Sequence, residues 1–415
     1  MTDVNVNIAR LSGELDELAK FSSDAAPPPA VTRVLYTEPD MQARDYFKRL
    51  CRDAGLAVRE DAIGNTFARW AGSSPELPAV GTGSHTDAIP HAGMYDGTVG
   101  VLGGLEAIRA LQAGGFKPKR SIEVLMFTSE EPTRFGIGCV GSRALSGMLP
   151  PEKLAELRDQ AGLRLDDVRQ SAGFTGGLPS VRLPKDYYSA FVELHIEQGP
   201  LLEQEKLPIG IVTAIAAPAS MTVELTGEGG HAGAVLMPVR KDALCAAAEI
   251  VLAVEAAAKA TGSPDAVATT GVCRVHPGAI NSVPSKVTLM IDIRDVNREP
   301  RDQSVRAVHA AIEEVSARRG VAAVVEMLNS DPPAAMAPAV VDAAEAACNK
   351  LGLPFKKMVS RAYHDSLFMA HAFPTGMVFI PCRGGVSHRP DEYSTPEEIR
   401  KGVEVLALAL AELAG

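Results

Sequence analysis

Histidines and carboxylates cluster where the apolar stretches of this 415-residue chain end. The clustered residues are His85 with Asp87, Asp96, the adjacent pair Glu130 and Glu131, His195, and His388. Imidazole and carboxylate groups are ligands that suit zinc, manganese, iron and nickel. In a Glu-Glu pair, one carboxylate can bind a metal while the other stays free for proton transfer. The pattern therefore predicts a hydrolytic site with two metal ions.

The order of strands and helices in the first half of the chain indicates how these segments could meet. Short apolar runs alternate with helical patterns, at residues 41–54, 77–84, 97–113, 121–128 and 190–195. Such alternation predicts an α/β fold with a mostly parallel sheet and helices on both faces. Because ligands of these sheets gather at the carboxyl ends of the strands, we expect His85, Glu130, Glu131 and His195 to converge.

The pattern changes between residues 211 and 329. Strand and helix patterns follow in the order β-α-β-β-α-β, which predicts a ferredoxin-like α+β domain with an antiparallel sheet. Alternation resumes afterwards and ends in a helical pattern at 396–413, so we expect this domain to be inserted into the first. Residues 1–210 and 330–415 are assigned to the metal-binding catalytic domain. Residues 27–29 are expected to be a loop.

Composition excludes several classes of function. A net charge of −10 argues against a nucleic-acid or anionic-membrane surface. The polar stretch at 1–20 lacks the features of a secretion signal, and no apolar run is long enough to span a bilayer. The six cysteines are widely spaced, as expected for free thiols in a reducing compartment. We therefore expect a cytoplasmic protein.

Each motif taken alone has a simpler alternative. His85 and Asp87 could form an exposed surface pair, and Asp96 could serve only the glycine-rich turn in which it lies. A solvated loop could screen Glu130 from Glu131, although the residues around this pair are not an acidic run. His195 could lie on a solvent-facing edge strand. The metal site is favoured because all the motifs occur together.

Further polar residues lie on the predicted inserted domain and near the end of the chain. His231 lies in a glycine-rich turn, which is a weak signal, and Asn281 follows in the segment PGAIN. Arg294 has aspartates on both sides, so it could form a structural ion pair or clamp a substrate carboxylate. His364 precedes Asp365 in a segment that also contains Tyr363.

The motifs together resemble those of a known family, from about His85 to the C-terminus. The segments are SHTD, YDGTVG, SEEPTRFG, ELHIEQG, GGHAG, PGAINSVPS, DIRD and SHRPDE. They are similar to the dinuclear metallo-amidohydrolases of the aminoacylase/carboxypeptidase superfamily, in the branch that hydrolyses ureido and N-carbamoyl compounds. Tyr363 stands where carbamoylases and allantoate enzymes commonly have glycine, which favours a smaller, hydroxylated substrate.

The resemblance implies a role for each residue of the metal site. His85, Asp96 and His195 would bind one ion, and Asp96, Glu131 and His388 would bind the other. Asp87 would orient His85, and Glu130 would act as general base and acid. The resemblance implies two divalent ions, expected to be Mn²⁺, with Zn²⁺, Ni²⁺ or Co²⁺ as alternatives.

The resemblance also implies a partner and a substrate. The domain at 211–329 would act as a lid and form a homodimer, so that His231 reaches the partner's site and stabilises the oxyanion. Asn281 and Arg294 would hold the substrate carboxylate, with Gln198, Tyr363 and His364 also binding substrate. The substrate would be a small anionic ureido compound. Neither a nucleic acid nor a membrane is expected as a partner.

The implied reaction releases ammonia, carbon dioxide and glyoxylate by hydrolysis of the terminal carbamoyl amide of ureidoglycolate. Allantoate and N-carbamoyl-L-amino acids are the alternative substrates within the branch. A peptidase of the superfamily is disfavoured, because those enzymes usually have a carboxylate at the position of His195. A non-catalytic metal-binding relative is the alternative from another class, although no expected catalytic residue is missing.

Overall fold

The computed structural model describes residues 4–24 and 30–415, so the loop expected at 27–29 lies outside the described residues. The chain divides into two compact units. The first comprises Met1–Thr213, Met336–Ser360 and His364–Gly415, and the second comprises Ala214–Ala335 and Arg361–Tyr363. The segment Arg361–Tyr363, inside the range assigned to the catalytic domain, thus belongs to the second unit.

The helices and strands are numbered in chain order. Up to residue 215 they are α1 (Ile8–Ala19), β1 (Val31–Arg33), α2 (Glu38–Asp53), β2 (Ala57–Glu60), β3 (Thr66–Trp70), β4 (Ala79–His85), β5 (Ala88–Ala92), α3 (Thr98–Ala113), β6 (Ile122–Phe127), α4 (Val140–Ser146), α5 (Pro151–Glu156), α6 (Leu165–Ser171), β7 (Tyr188–Ile196), α7 (Leu201–Glu205) and β8 (Ile209–Ile215). The next are β9 (Ala217–Thr226), β10 (Gly230–His231), α8 (Ala243–Ala260), β11 (Val267–His276), β12 (Ser282–Val283), β13 (Lys286–Asp295), α9 (Arg298–Arg319), β14 (Ala322–Ser330) and β15 (Ala334–Ala335). The last are α10 (Pro338–Leu351), β16 (Phe355–Ser360), α11 (Asp365–Met369), β17 (Thr375–Ile380) and α12 (Pro396–Ala414).

The central sheet of the first unit has a parallel middle. Its strands run in the order β8-β17-β7-β4-β6-β3-β2, with β16 also paired to β8. Strands β17, β7, β4 and β6 are mutually parallel, whereas β8, β3 and β2 add antiparallel edges. Strands β4 and β6 are buried at every residue, as expected when helices cover both faces. The predicted α/β class is confirmed.

Helix α3 lies close to the sheet because it carries a glycine at the contact. A Cβ atom at Gly100 would lie 2.3 Å from the carbonyl oxygen of Leu194 on β7. Only glycine permits this approach, since any side chain would push the helix away. The helix therefore begins beside the ends of β4 and β7, and it brings the preceding residue Asp96 to the same place.

The second unit is built on a four-stranded antiparallel sheet. The strand order is β11-β13-β9-β14, and helices α8 and α9 pack on the sheet. Alternate residues of β9 and β13 form its apolar core, from Met221 and Leu225 to Ile291. This β-α-β-β-α-β arrangement is the ferredoxin-like fold that the sequence predicts.

Among residues 4–24 and 30–415, no helix has both the length and the apolar composition needed to cross a bilayer.

Candidate metal centre

Two sets of three ligand atoms meet at the carboxyl ends of the parallel strands. Asp96 Oδ1 lies 3.1 Å from His195 Nε2 and 3.5 Å from His85 Nε2. The other oxygen, Oδ2, lies 3.3 Å from His388 Nε2, which is also 3.3 Å from Glu131 Oε1. Within each set the ligand atoms lie within 4.8 Å of one another. The structure thus brings all five predicted ligands together, with Asp96 shared.

The electrostatics of this cluster favour positive charge at its centre. Burial opposes protonation of His85, but the carboxylates of Glu130, Asp96 and Asp87 raise its pKa well above the usual range. Hydrogen bonds with Asp96 and Glu131 raise the pKa of His388 to about 11. Imidazole nitrogens and carboxylate oxygens in this arrangement fit divalent cations. The positive charge of such ions would balance the negative charge of the carboxylates.

Asp87 supports the site in a way that the sequence did not indicate. Its carboxylate accepts hydrogen bonds from the backbone N–H groups of Glu130 (3.1 Å) and Glu131 (3.0 Å). The nearest hydrogen-bond partner of His85 Nδ1 is instead the backbone carbonyl oxygen of Asp87, at 3.0 Å, with the carboxylate 3.7 Å away. Asp87 therefore fixes the Glu-Glu pair with its side chain and the imidazole ring with its backbone.

Glu130 lies beside the ligands but outside both sets of three. Its Oε2 is 3.8 Å from His85 Nε2, and the thiol of Cys139 donates a hydrogen bond of 3.4 Å to Oε1. Burial raises the pKa of Glu130 well above its usual range, with His85 opposing the shift and Glu131 adding to it. A carboxyl group with a raised pKa can both accept and return a proton near neutral pH.

Gln198 and His364 also lie at this centre. Gln198 Nε2 donates to Asp96 Oδ2 at 2.8 Å, whereas its Oε1 is buried without a hydrogen-bond partner among the described residues. The His364 ring packs against His195 with ring centroids 4.5 Å apart, and His364 Nε2 is 3.0 Å from Ser360 Oγ. Burial lowers the pKa of His364 well below its usual range, which keeps the ring neutral.

The other four predicted residues lie on the second unit. His231 and Asn281 are neighbours, since the N–H of Ala232 donates to the carbonyl oxygen of Asn281 at 2.9 Å, and both side chains are exposed. The Tyr363 hydroxyl donates to Asp331 Oδ2 at 2.8 Å.

Arg294 is engaged within the second unit. Its Nε donates to Asp292 Oδ1 at 2.7 Å, and its Nη1 donates to the carbonyl oxygen of Arg361 at 2.8 Å. The ion pair weighed from the sequence is therefore present, and the role of Arg294 as a clamp for a substrate carboxylate stays a prediction.

Two buried carboxylates near the site carry contacts that the sequence analysis missed. Glu193 accepts hydrogen bonds from Ser84 Oγ (2.6 Å) and from the N–H of Ser366 (3.0 Å). Glu392 accepts hydrogen bonds from the N–H groups of Tyr95 and Asp96. Glu193 shares a strand face with His195, which was a usable signal. Glu392 is distant in sequence from its partners, so only the fold reveals it.

The chain is similar to known proteins over most of its length. The model of the peptidase family M20/M25/M40, a metal-dependent family, matches residues 81–412. The chain is 55% identical to a ureidoglycolate hydrolase of Oryza sativa subsp. japonica, over 97% of this chain and 84% of that protein. A ureidoglycolate hydrolase of Arabidopsis thaliana is 52% identical, over 99% of this chain and 88% of that protein.

A solved structure of a similar protein has the same fold. The crystal structure of AtUAH in complex with glyoxylate matches with a TM-score of 0.85 at 51% identity, covering 99% of this chain and 98% of that chain. The resemblance inferred from the motifs is confirmed. The chain belongs to the peptidase family M20/M25/M40.

Proposed function

We propose that this protein hydrolyses the terminal carbamoyl amide of ureidoglycolate with two divalent metal ions. The observation that carries the proposal is the pair of ligand sets that share Asp96, beside Glu130 with a side chain only 11% exposed. The similarity to two ureidoglycolate hydrolases supports the choice of substrate. Allantoate and N-carbamoyl-L-amino acids are the rival substrates, since the same ligands would serve them.

The proposed ligands are His85, Asp96 and His195 for one ion and Asp96, Glu131 and His388 for the other. When bound, such ions polarise a carbonyl oxygen and make water a better nucleophile at neutral pH. Mn²⁺ is the proposed metal, with Zn²⁺, Ni²⁺ and Co²⁺ as alternatives.

Glu130 is the proposed general base and acid. It takes a proton from water as the water oxygen bonds to the terminal carbamoyl carbon. It then delivers this proton to the departing nitrogen as the C–N bond breaks, which releases ammonia. The remaining carbamate loses carbon dioxide to give hydroxyglycine, which eliminates a second ammonia to give glyoxylate. Proton transfer of this kind contributes about 10²- to 10⁴-fold to the rate.

The remaining predicted residues have proposed roles in substrate binding and assembly. The unpartnered Oε1 of Gln198 can accept a hydrogen bond from a ureido N–H group. Neutral His364 is proposed as a second polar contact for the substrate. Asn281 and Arg294 are proposed to hold the carboxylate, with Tyr363 near the ureido group. His231 is proposed to act at the active site of a partner in a homodimer formed by the second unit.

A cytoplasmic location is part of the proposal. All six cysteines are free, and four of them are buried. Free thiols persist in a reducing compartment.

The test offers ureidoglycolate, allantoate and an N-carbamoyl-L-amino acid in parallel to metal-free protein reloaded with Mn²⁺, and measures ammonia and glyoxylate. We expect fast turnover of ureidoglycolate alone. Preference for either rival would overturn the substrate assignment while leaving the reaction class intact. Absence of turnover with metal bound would favour a non-catalytic metal-binding protein.

A further inference from the structure

Glu392 is a buried carboxylate whose contacts all lead to the metal centre. Glu392 is only 3% exposed to solvent. Oε1 accepts hydrogen bonds from two consecutive backbone N–H groups, those of Tyr95 (2.9 Å) and Asp96 (3.0 Å). This carboxylate therefore fixes the backbone of the residue that the two ligand sets share.

The second oxygen of Glu392 reaches the Asp96 side chain through Ser387. Ser387 Oγ lies 3.0 Å from Glu392 Oε2 and 2.9 Å from Asp96 Oδ2. Gln198 Nε2 approaches the same hydroxyl at 3.1 Å. Since a hydroxyl has one proton, Ser387 can donate to only one of the two carboxylates at a time, while its lone pairs can accept from Gln198 Nε2. Glu392 thus holds the backbone of Asp96 directly and lies within reach of the hydroxyl that can also bind the Asp96 carboxylate.

The approach of Glu392 depends on the absence of a side chain at position 93. A Cβ atom on Gly93 would lie 2.4 Å from Glu392 Cβ and 2.6 Å from its Oε1. Either distance is shorter than real Cβ contacts allow, so any larger residue at position 93 would displace the carboxylate. The close fit between Gly93 and Glu392 indicates a specific contact.

The contacts of Glu392 favour one half of the metal centre over the other. The rings of His85 and His195 have anchors of their own, since each Nδ1 lies 2.9–3.0 Å from a backbone carbonyl oxygen. His388 has a side chain that is 47% exposed and directly follows Ser387 in sequence. Ser387 also contacts Asp96 Oδ2, the oxygen that faces His388. Loss of Glu392 would therefore disturb the His388 side most.

We propose that Glu392 is a positioning residue that holds Asp96 and the Ser387–His388 segment for the ion bound by Asp96, Glu131 and His388. This inference rests on the proposed function, because it assumes two ions. Contacts that orient metal ligands typically change affinity by about 10- to 100-fold. We expect a loss of this size for the ion bound by Asp96, Glu131 and His388, and a smaller loss for the ion bound by His85, Asp96 and His195, because Asp96 is shared.

The test titrates metal-free protein with Mn²⁺ and determines both dissociation constants by calorimetry. Glu392→Ala should weaken the binding of one ion by about 10- to 100-fold and the binding of the other ion clearly less. Glu392→Gln should restore binding, since its amide oxygen can accept both N–H groups and its NH₂ can donate to Ser387. Glu404→Gln, on α12 and paired with Arg400, is the matched control and should leave both ions unchanged.

A second readout does not depend on activity or on the number of ions. In metal-free protein, hydrogen exchange at the Tyr95 and Asp96 amides should be faster in Glu392→Ala and in Gly93→Ala than in wild type. If wild type binds a single ion, the two-metal proposal fails, and faster exchange at these amides still supports the positioning role. Unchanged exchange, equal loss of both ions, or a Glu392→Gln variant as weak as Glu392→Ala would overturn it.

Discussion

Replacing Arg44 by methionine should destabilise the first unit strongly. Arg44 and Asp40 form an ion pair of 2.9 Å in which both side chains are almost fully buried. Arg44 Nη1 also donates to the carbonyl oxygen of Gly64 at 2.6 Å. Without the guanidinium, Asp40 keeps one hydrogen bond, from the N–H of Tyr36, because its Oδ1 has no partner among the described residues. The substitution therefore removes the hydrogen-bonded cation from a buried carboxylate and leaves the more distant charge of Arg33, which makes no hydrogen bond to it.

The size of the effect follows from two limits. Removal of one partner from a buried ion pair typically costs about 3–5 kcal/mol. A carboxyl group can escape this cost by taking up a proton, which for an ordinary aspartate at pH 7 costs about 4 kcal/mol. The smaller limit applies, so we expect Arg44→Met to lower the free energy of unfolding by about 3–4 kcal/mol. Adding Asp40→Asn should recover part of this loss.

The fluorescence of the only tryptophan in the chain provides the assay. Trp70 lies on β3 in the first unit, so urea unfolding followed at this residue reports on that unit. The exposed pair Arg164–Asp167 supplies the control, and Asp167→Asn should leave the urea midpoint unchanged. A loss below about 1 kcal/mol for Arg44→Met, or a double variant no more stable than the single one, would refute the reasoning.

Three further predictions concern catalysis and pH. Glu130→Gln should keep metal content and fold but reduce turnover by about 10²-fold or more, as measured by ammonia release. Near-normal rates would contradict the assignment of Glu130 as general base and acid. Arg294→Ala should mainly raise KM for carboxylate substrates, and unchanged kinetics would leave it as the partner of Asp292. Burial raises the pKa of Asp61 to about 6, from 3.8. Asp61 therefore stabilises the folded state fully below pH 4. As the pH rises through 6, the free energy of unfolding falls by about 3 kcal/mol. Asp61→Asn should remove this dependence in urea unfolding, and an unchanged pH profile would contradict it.

Local patterns in the sequence are sufficient for the strands and helices that carry the site. The apolar runs at 77–84 and 121–128 correspond to β4 (Ala79–His85) and β6 (Ile122–Phe127), and the pattern at 97–113 corresponds to α3. Such segments are readable because strands and helices buried on both faces form continuous apolar runs, which differ in length and are bounded by turn residues. The placement of Arg361–Tyr363 in the second unit depends on contacts with Asp265 and Asp331, which no local pattern encodes.

The same distinction separates the ligands from the groups that support them. His85 and His195 could be predicted, because each is a polar residue at the end of an apolar strand. The bonds from the Asp87 carboxylate to the Glu130 and Glu131 amides could not, since they join a side chain to backbone groups 43 and 44 residues away. Contacts of this kind depend on where the fold places two segments.

Backbone geometry is the part of the site that the sequence conceals most completely. Ser129, Cys139, Gln198 and His388 all adopt left-handed φ values of 56–58°, although none is glycine. This conformation costs roughly 1–2 kcal/mol for each residue, so the four together cost roughly 4–8 kcal/mol. Burial of one leucine, isoleucine or valine contributes about 1.5–3 kcal/mol, so a few core residues of β4, β6 and β7 offset the cost. Because β6 and β7 are buried along nearly their whole length, they can hold the strained turns at Ser129 and Gln198 that follow them, and those turns place Glu130 beside His85 and Gln198 beside Asp96.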